Sequence, residues 1–312
     1  MSPFQNVFRR GAILACTASL FAASPGLAQD TLIVEGQRIE TADIRSMARD
    51  ITAGSHAMFQ PLARFRRPVC PGVWGMSEAN AQAVLDRITF NALQAGVEVA
   101  QEQDCGANVW VIVVDDADAT FEALDDEGSF LTRHLLPYQT RMVRAQQGSL
   151  RAWNQITTRN PDDGRVQPDG FELASYWQEA RINPRPGASG RLEYDFPANE
   201  VSTMSRLDLG IRTDIELSVI LVERSAMADL DVVALADYAT MRLLLATDAP
   251  SRESPVPTIL TLFDPEQRDA APRQLTAFDR AYLAAMYRSS PTRPARLAIG
   301  GIQVLMQESS DL

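Results

Sequence analysis

Lysine is absent from this 312-residue chain: all 29 of its basic residues are arginine. That excludes P-loop phosphate binding, Schiff-base chemistry and serine–lysine hydrolysis, each of which needs an amine side chain. Histidine is nearly as scarce. His56 and His134 are the only two, they stand in separate stretches without metal-ligand spacing, and each reads as a packed or surface residue. No GxSxG elbow occurs, so a Ser–His–Asp hydrolase of that type has no support. No apolar run reaches the roughly 18 residues that a spanning helix needs, and no membrane span is expected. The acidic run DDADATFEALDDEG lacks the calcium-loop spacing and its glycine, and reads as a solvated helix.

What is present begins with a targeting pattern. MSPFQNVFRR carries Arg9 and Arg10, GAILACTASLFAA is apolar, and SPGLAQD offers a small-residue cleavage site after Ala28. The reading is a secretory signal peptide over residues 1–28, placing the protein in the periplasm or outside the cell. The formal net charge is −11, and losing Arg9 and Arg10 makes it two units more negative. Such a balance disfavours nucleic acid and anionic membranes as partners. Of three cysteines, Cys70 and Cys105 survive cleavage. In an oxidising compartment they are expected to form a disulfide, worth about 3 to 4.7 kcal/mol in the chain-entropy account. Two separate buried thiols are the competing reading.

The chain reads as α/β (α+β), with residues 29–147 as an N-terminal module and 148–312 as a C-terminal one. TADIRSMARDIT has Ile44, Met47, Ala48 and Ile51 at helical spacing behind a Thr41 cap. PLARFRRPVCPGVWG reads as extended. SEANAQAVLDRITFNALQAG is an amphipathic helix capped by Ser77 and ended by Gly96. VEVAQ and NVWVIVVDD follow as strands, giving a strand–helix–strand unit, and 120–147 looks helical again. Residues 148–200 are rich in Gly, Pro, Asn and Asp and read as short strands and loops. IELSVILVE is then a strand, and DVVALADYATMRLLLAT and LTAFDRAYLAAMY are helices with PTILTLFD between them.

Three groups are candidate contacts. Trp153, Tyr176, Trp177 and Tyr194 fall in the loop-rich stretch and are a candidate ligand cleft, although anchoring irregular loops to a core is the commoner use of such aromatics. Arg64, Arg66 and Arg67 form the densest basic cluster, a candidate anion contact, with pairing to the acidic surface as the competing account. Asp115 and Asp116 end a strand, where α/β folds place functional side chains, and where acids also simply meet water.

Strand IELSVILVE, helix DVVALADYATMRLLLAT, turn PTILTLFD and helix LTAFDRAYLAAMY occur in that order. Over residues 205–290 they resemble the C-terminal half of metzincin-type zinc metallopeptidases, and more closely a bacterial family of secreted proteins of unknown function, whose better-preserved members keep an HE-like motif on that helix. Leu243 and Leu245 match the end of the zinc helix, Thr258-Ile259-Leu260 the turn, and Leu275, Thr276, Asp279, Met286 and Tyr287 the last helix. The metal motif itself departs. HExxH becomes Asp237-Tyr238-Ala239-Thr240-Met241, or, one residue earlier, Ala236 to Thr240. Neither register supplies two imidazoles one turn apart or the water-activating glutamate. The resemblance therefore implies a zincin-like scaffold with a degenerate active-site helix (Ala236, Asp237, Tyr238, Thr240, Met241), no catalytic residues, no metal and no cofactor. Replacing Asp237 by alanine is expected to cost little unless it is buried in a hydrogen-bonded network.

The function expected from this reading is non-catalytic: a pseudo-metallopeptidase binding an envelope protein, peptide or glycan through a relic cleft. A metal-independent, carboxylate-dependent hydrolase of the cell envelope is the alternative, and a structural role in envelope assembly is a third.

Overall fold

The computed structural model describes residues 39–53, 59–102, 105–168, 170–182, 185–186, 192–193, 199–202 and 205–308. Residues 1–28, where a signal peptide and a cleavage site after Ala28 are expected, lie outside them, as do His56 and Tyr194. Residues 38–312 form one compact unit.

In chain order the elements are α1 (Thr41–Asp50), β1 (Pro71–Trp74), α2 (Glu78–Gln94), β2 (Val109–Val114), α3 (Ala117–Asp126), α4 (Pro137–Arg144), β3 (Leu150–Arg159), α5 (Gly170–Ile182), β4 (Arg185–Pro186), β5 (Leu192–Glu193), β6 (Arg212–Glu223), α6 (Val232–Leu243), α7 (Ala277–Arg288), α8 (Ala295–Ala298) and α9 (Ile302–Glu308). The main sheet runs β1-β2-β6-β3. β1, β2 and β6 are parallel, and β3 lies antiparallel on β6.

Period-two alternation sorts the strand side chains into two cores, one on each sheet face. Val109, Val111, Ile220 and Val222 join Val84, Ile88 and Ala92 of α2, the buried length of α6, and Phe278 and Tyr282 of α7. Ile112, Val114, Val219 and Leu221 meet Ala117 and Phe121 of α3, Val143 of α4 and Trp153 of β3. The result is three layers, helix–sheet–helix, which is why β2 and β6 read as near-continuous apolar runs. The boundary expected at 147–148 falls in the loop between α4 and β3, and strands from either side of it pair in one sheet.

The strand–helix–strand unit is β1, α2 and β2, with Ser77 at the N-cap of α2 and Gly96 in a left-handed conformation just past its end. Cys70 and Cys105 are joined, Cα atoms 6.0 Å apart, linking the segments that enter the neighbouring strands β1 and β2. Gly75 makes the turn out of β1 at φ 84°, with its Cα so close to Val113 that an added Cβ would stand 2.1 Å from the Val113 carbonyl oxygen.

Several expectations need correction. VEVAQ is not a strand. Val69 and Val99 form a single bridge, because the chain here leaves Gly96 and touches only the segment before β1. Glu40, not Thr41, is the N-cap of α1. The stretch 120–147 holds two helices separated by turns over 127–134, with Pro137 opening the second. The largest difference is in 148–200, which contains the ten-residue strand β3 and the thirteen-residue helix α5. α5 has no clear apolar stripe, so helical periodicity did not mark it.

Candidate functional site

The motif helix α6 follows β6 as the resemblance implies, and Asp231 caps it by accepting from the Ala234 amide at 2.7 Å. Every residue from Ala234 to Leu243 is buried. Ala236 and Met241 are core residues. Tyr238 packs edge-on against Phe263 at 4.7 Å, and burial raises its phenol pKa. Thr240 donates to the Ala236 carbonyl at 2.8 Å and accepts from Asn91 Nδ2 at 3.1 Å.

Asp237 is fully buried and saturated with donors. Its Oδ1 accepts from Arg87 Nε at 2.6 Å and Asn91 Nδ2 at 2.7 Å, and its Oδ2 from Arg87 Nη2 at 2.8 Å and the Leu275 amide at 2.8 Å. The Arg87 contact is a two-point guanidinium–carboxylate pair, and that hydrogen bonding raises the Arg87 pKa. So the branch in which Asp237 is a cheap surface position is excluded: it sits where α2, α6 and the entry to α7 meet. Among the described residues no group of three His, Cys, Asp or Glu side chains is placed to hold a metal ion.

The resemblance's turn and last helix are built by a similar device. Thr258 caps a 3-10 turn over Ile259–Thr261. Asp279, in the capping box of α7, accepts from Thr258 Oγ1 at 2.6 Å, the Ile259 amide at 2.9 Å and the Thr276 amide at 2.9 Å. Burial raises its pKa despite these bonds.

The sequence-marked residues are dispersed. Trp153 is buried, edge-on to Phe121 at 5.2 Å, with its Nε1 donating to the Leu131 carbonyl, and so belongs to the core. Trp177 is exposed on α5. The Tyr176 side chain, like Tyr194, is outside the described residues. Arg64 is buried and donates to the Met286 and Ser289 carbonyls. Burial lowers its pKa to about 10, which still leaves it cationic. Arg67 pairs with Glu216 at 3.0 Å, and Arg66 is exposed. The three arginines therefore do not converge. Asp116 caps α3, and Asp115 pairs with Arg224 at 3.3 Å.

Two larger concavities stand out among the described residues. One, of about 630 Å³, lies beside the disulfide and is lined by Arg67, Glu98, Glu102, Phe130, His134 and Glu216 among others. Glu216 is held there between Arg67 and Arg159, the latter at 2.7 Å. The other, of about 540 Å³, runs between α2, α7 and α9. Arg87, Asn91 and Ala95 line one wall, at a spacing of four along α2. Arg280, Ala284 and Arg288 line the other, at the same spacing along α7, and Leu305 and Glu308 come from α9. Residues four apart share a helix face, so this pattern was present in the sequence. What it lacked was any sign that the two faces meet. No known protein family, curated protein or solved structure matches this chain.

Proposed function

We propose that the chain is a secreted or periplasmic binding protein on a zincin-like scaffold whose motif helix has become structural. The observation that carries this reading is Asp237. The one acid in the motif has four donors within 2.8 Å and no exposure, so it is an anchor for α2 and α7 and holds no lone pair free for a metal or a water. The disulfide suits an oxidising compartment, and no described helix is long and apolar enough to cross a membrane. Against the hydrolase alternative, both carboxylate oxygens of Glu216 in the larger concavity are engaged by arginines, one by Arg67 and the other by Arg159, and neither is directed at a substrate.

The test is capture. Immobilised mature protein, exposed to periplasmic extract of the source cell, is expected to retain a saturable partner, while the purified protein leaves a peptide library uncleaved with or without added zinc. Chelator-sensitive cleavage, or one equivalent of tightly held zinc in tag-free protein, would overturn the reading.

A further inference from the structure

The groove between α2 and α7 combines features that point to one kind of occupant. Its walls carry Arg87, Arg280 and Arg288, and among the described residues Glu308 is the only acid lining it, in a chain whose formal charge is −11. Arg280 and Arg288 are exposed, and neither forms an ion pair among the described residues. Arg87 uses Nε and Nη2 on Asp237, which fixes the guanidinium plane and leaves Nη1 over. Between the charges Ala281, Ala284 and Leu305 give the groove an apolar floor, with the amides of Asn91 and Gln94 on the α2 side. Phe90, more than half exposed, sits under the Arg87 guanidinium with 5.6 Å to its ring centre.

Spacing selects among anionic ligands. Arg280 and Arg288 stand eight residues apart on one helix, about 12 Å, with Ala284 between them. A single-headed amphiphile satisfies one of them and leaves the other unpaired. A polynucleotide finds an apolar floor and a net-negative molecule behind it, both unfavourable. An amphipathic helix with acids about two turns apart, flanking small apolar side chains, satisfies both arginines and covers the floor.

We infer that the α2–α7 groove is a docking site for an acidic amphipathic helix of a partner protein, held by Arg280 and Arg288 at its ends and by the apolar floor between them. This rests on the binding reading proposed above and names the site and the chemistry of its partner. Arg87 is a positioning residue that couples the groove to α6.

The experiment uses the mature protein and a fluorescein-labelled helical peptide of about 12 residues, with glutamates eight positions apart on an Ala/Leu face, beside its glutamine twin. The acidic peptide is expected to bind saturably. Binding should weaken roughly tenfold or more in the Arg280→Glu/Arg288→Glu double variant, and several-fold between about 50 and about 300 mM salt. Ala284→Trp, which fills the groove without changing charge, should abolish binding. Arg133→Glu, in the other concavity, should leave it intact. Equal binding of the glutamine twin, indifference to the double variant, or preferential binding of an oligothymidine of similar length would each overturn the inference. A partner captured from extract as well by the double variant as by the natural chain would overturn the groove while leaving the binding reading standing.

Discussion

At Asp237 a single buried carboxylate ties α2, α6 and the entry to α7 together. Removing that carboxylate leaves Arg87, Asn91 Nδ2 and the Leu275 amide without their acceptor. Breaking such a pair costs about 3–5 kcal/mol, and the partial exposure of Arg87 (28% for its side chain) places Asp237→Ala toward the lower end. Urea unfolding should show the loss as a lower midpoint with an unchanged slope. A shift equivalent to about 0.5 kcal/mol, the scale of ordinary surface substitutions, would show that water replaces the carboxylate. Asp279 makes a different prediction. Its folded pKa is raised above the ordinary 3.8 by burial. Its contribution is therefore full below that value and declines as pH rises through the folded value. Asparagine can keep the amide contacts through its oxygen and donate to Thr258. The melting temperature of the natural chain relative to Asp279→Asn should accordingly fall as pH rises above about 4. A flat or rising difference would mean that the hydrogen bonds outweigh desolvation.

At the scale of elements, what was legible followed from pattern and punctuation. α2 announced itself through Ser77, Gly96 and a four-residue apolar rhythm, α7 through Thr276 and Asp279, and β2 and β6 through unbroken apolar runs. α5 carries no such rhythm, and its Gly- and Pro-rich flanks suggested loops. The partners of Asp237 were illegible for another reason: Arg87 is 150 positions away, and no local rule joins them. Two expectations belong at this scale. Reducing the Cys70–Cys105 bridge, which spans 35 positions, should lower unfolding stability by about 3 to 4.7 kcal/mol, read as the denaturant midpoint with and without reductant. A Cys70→Ala/Cys105→Ala chain that matches the oxidised protein would refute it. Gly75→Ala should also destabilise, by about 1–3 kcal/mol for the left-handed backbone and more for the clash with the Val113 carbonyl. Gly128→Ala shares the positive φ but has open space around it, and should cost less. Equal losses in the two variants would mean that the carbonyl simply moves aside.

At the scale of the molecule, β6 is the strand on which the sheet depends. It lies between β2 and β3, which do not touch as strands without it. A fragment of residues 39–147 is therefore expected to lack a cooperative thermal transition, and adding residues 148–308 in trans should restore one if association is tight enough. A sharp transition in the fragment alone would mean that β1, α2 and β2 suffice. The same placement governs the order of events during synthesis. The ribosome makes β1, β2 and β3 before residues 212–223, so the growing chain holds three strands with no central partner while residues 160–211 are made. Closure of the sheet waits for β6, and the two flanking cores cannot both be sealed earlier. A nascent chain with that property stays open to unfolded-chain binders and passage through a narrow pore until residues 212–223 have been made.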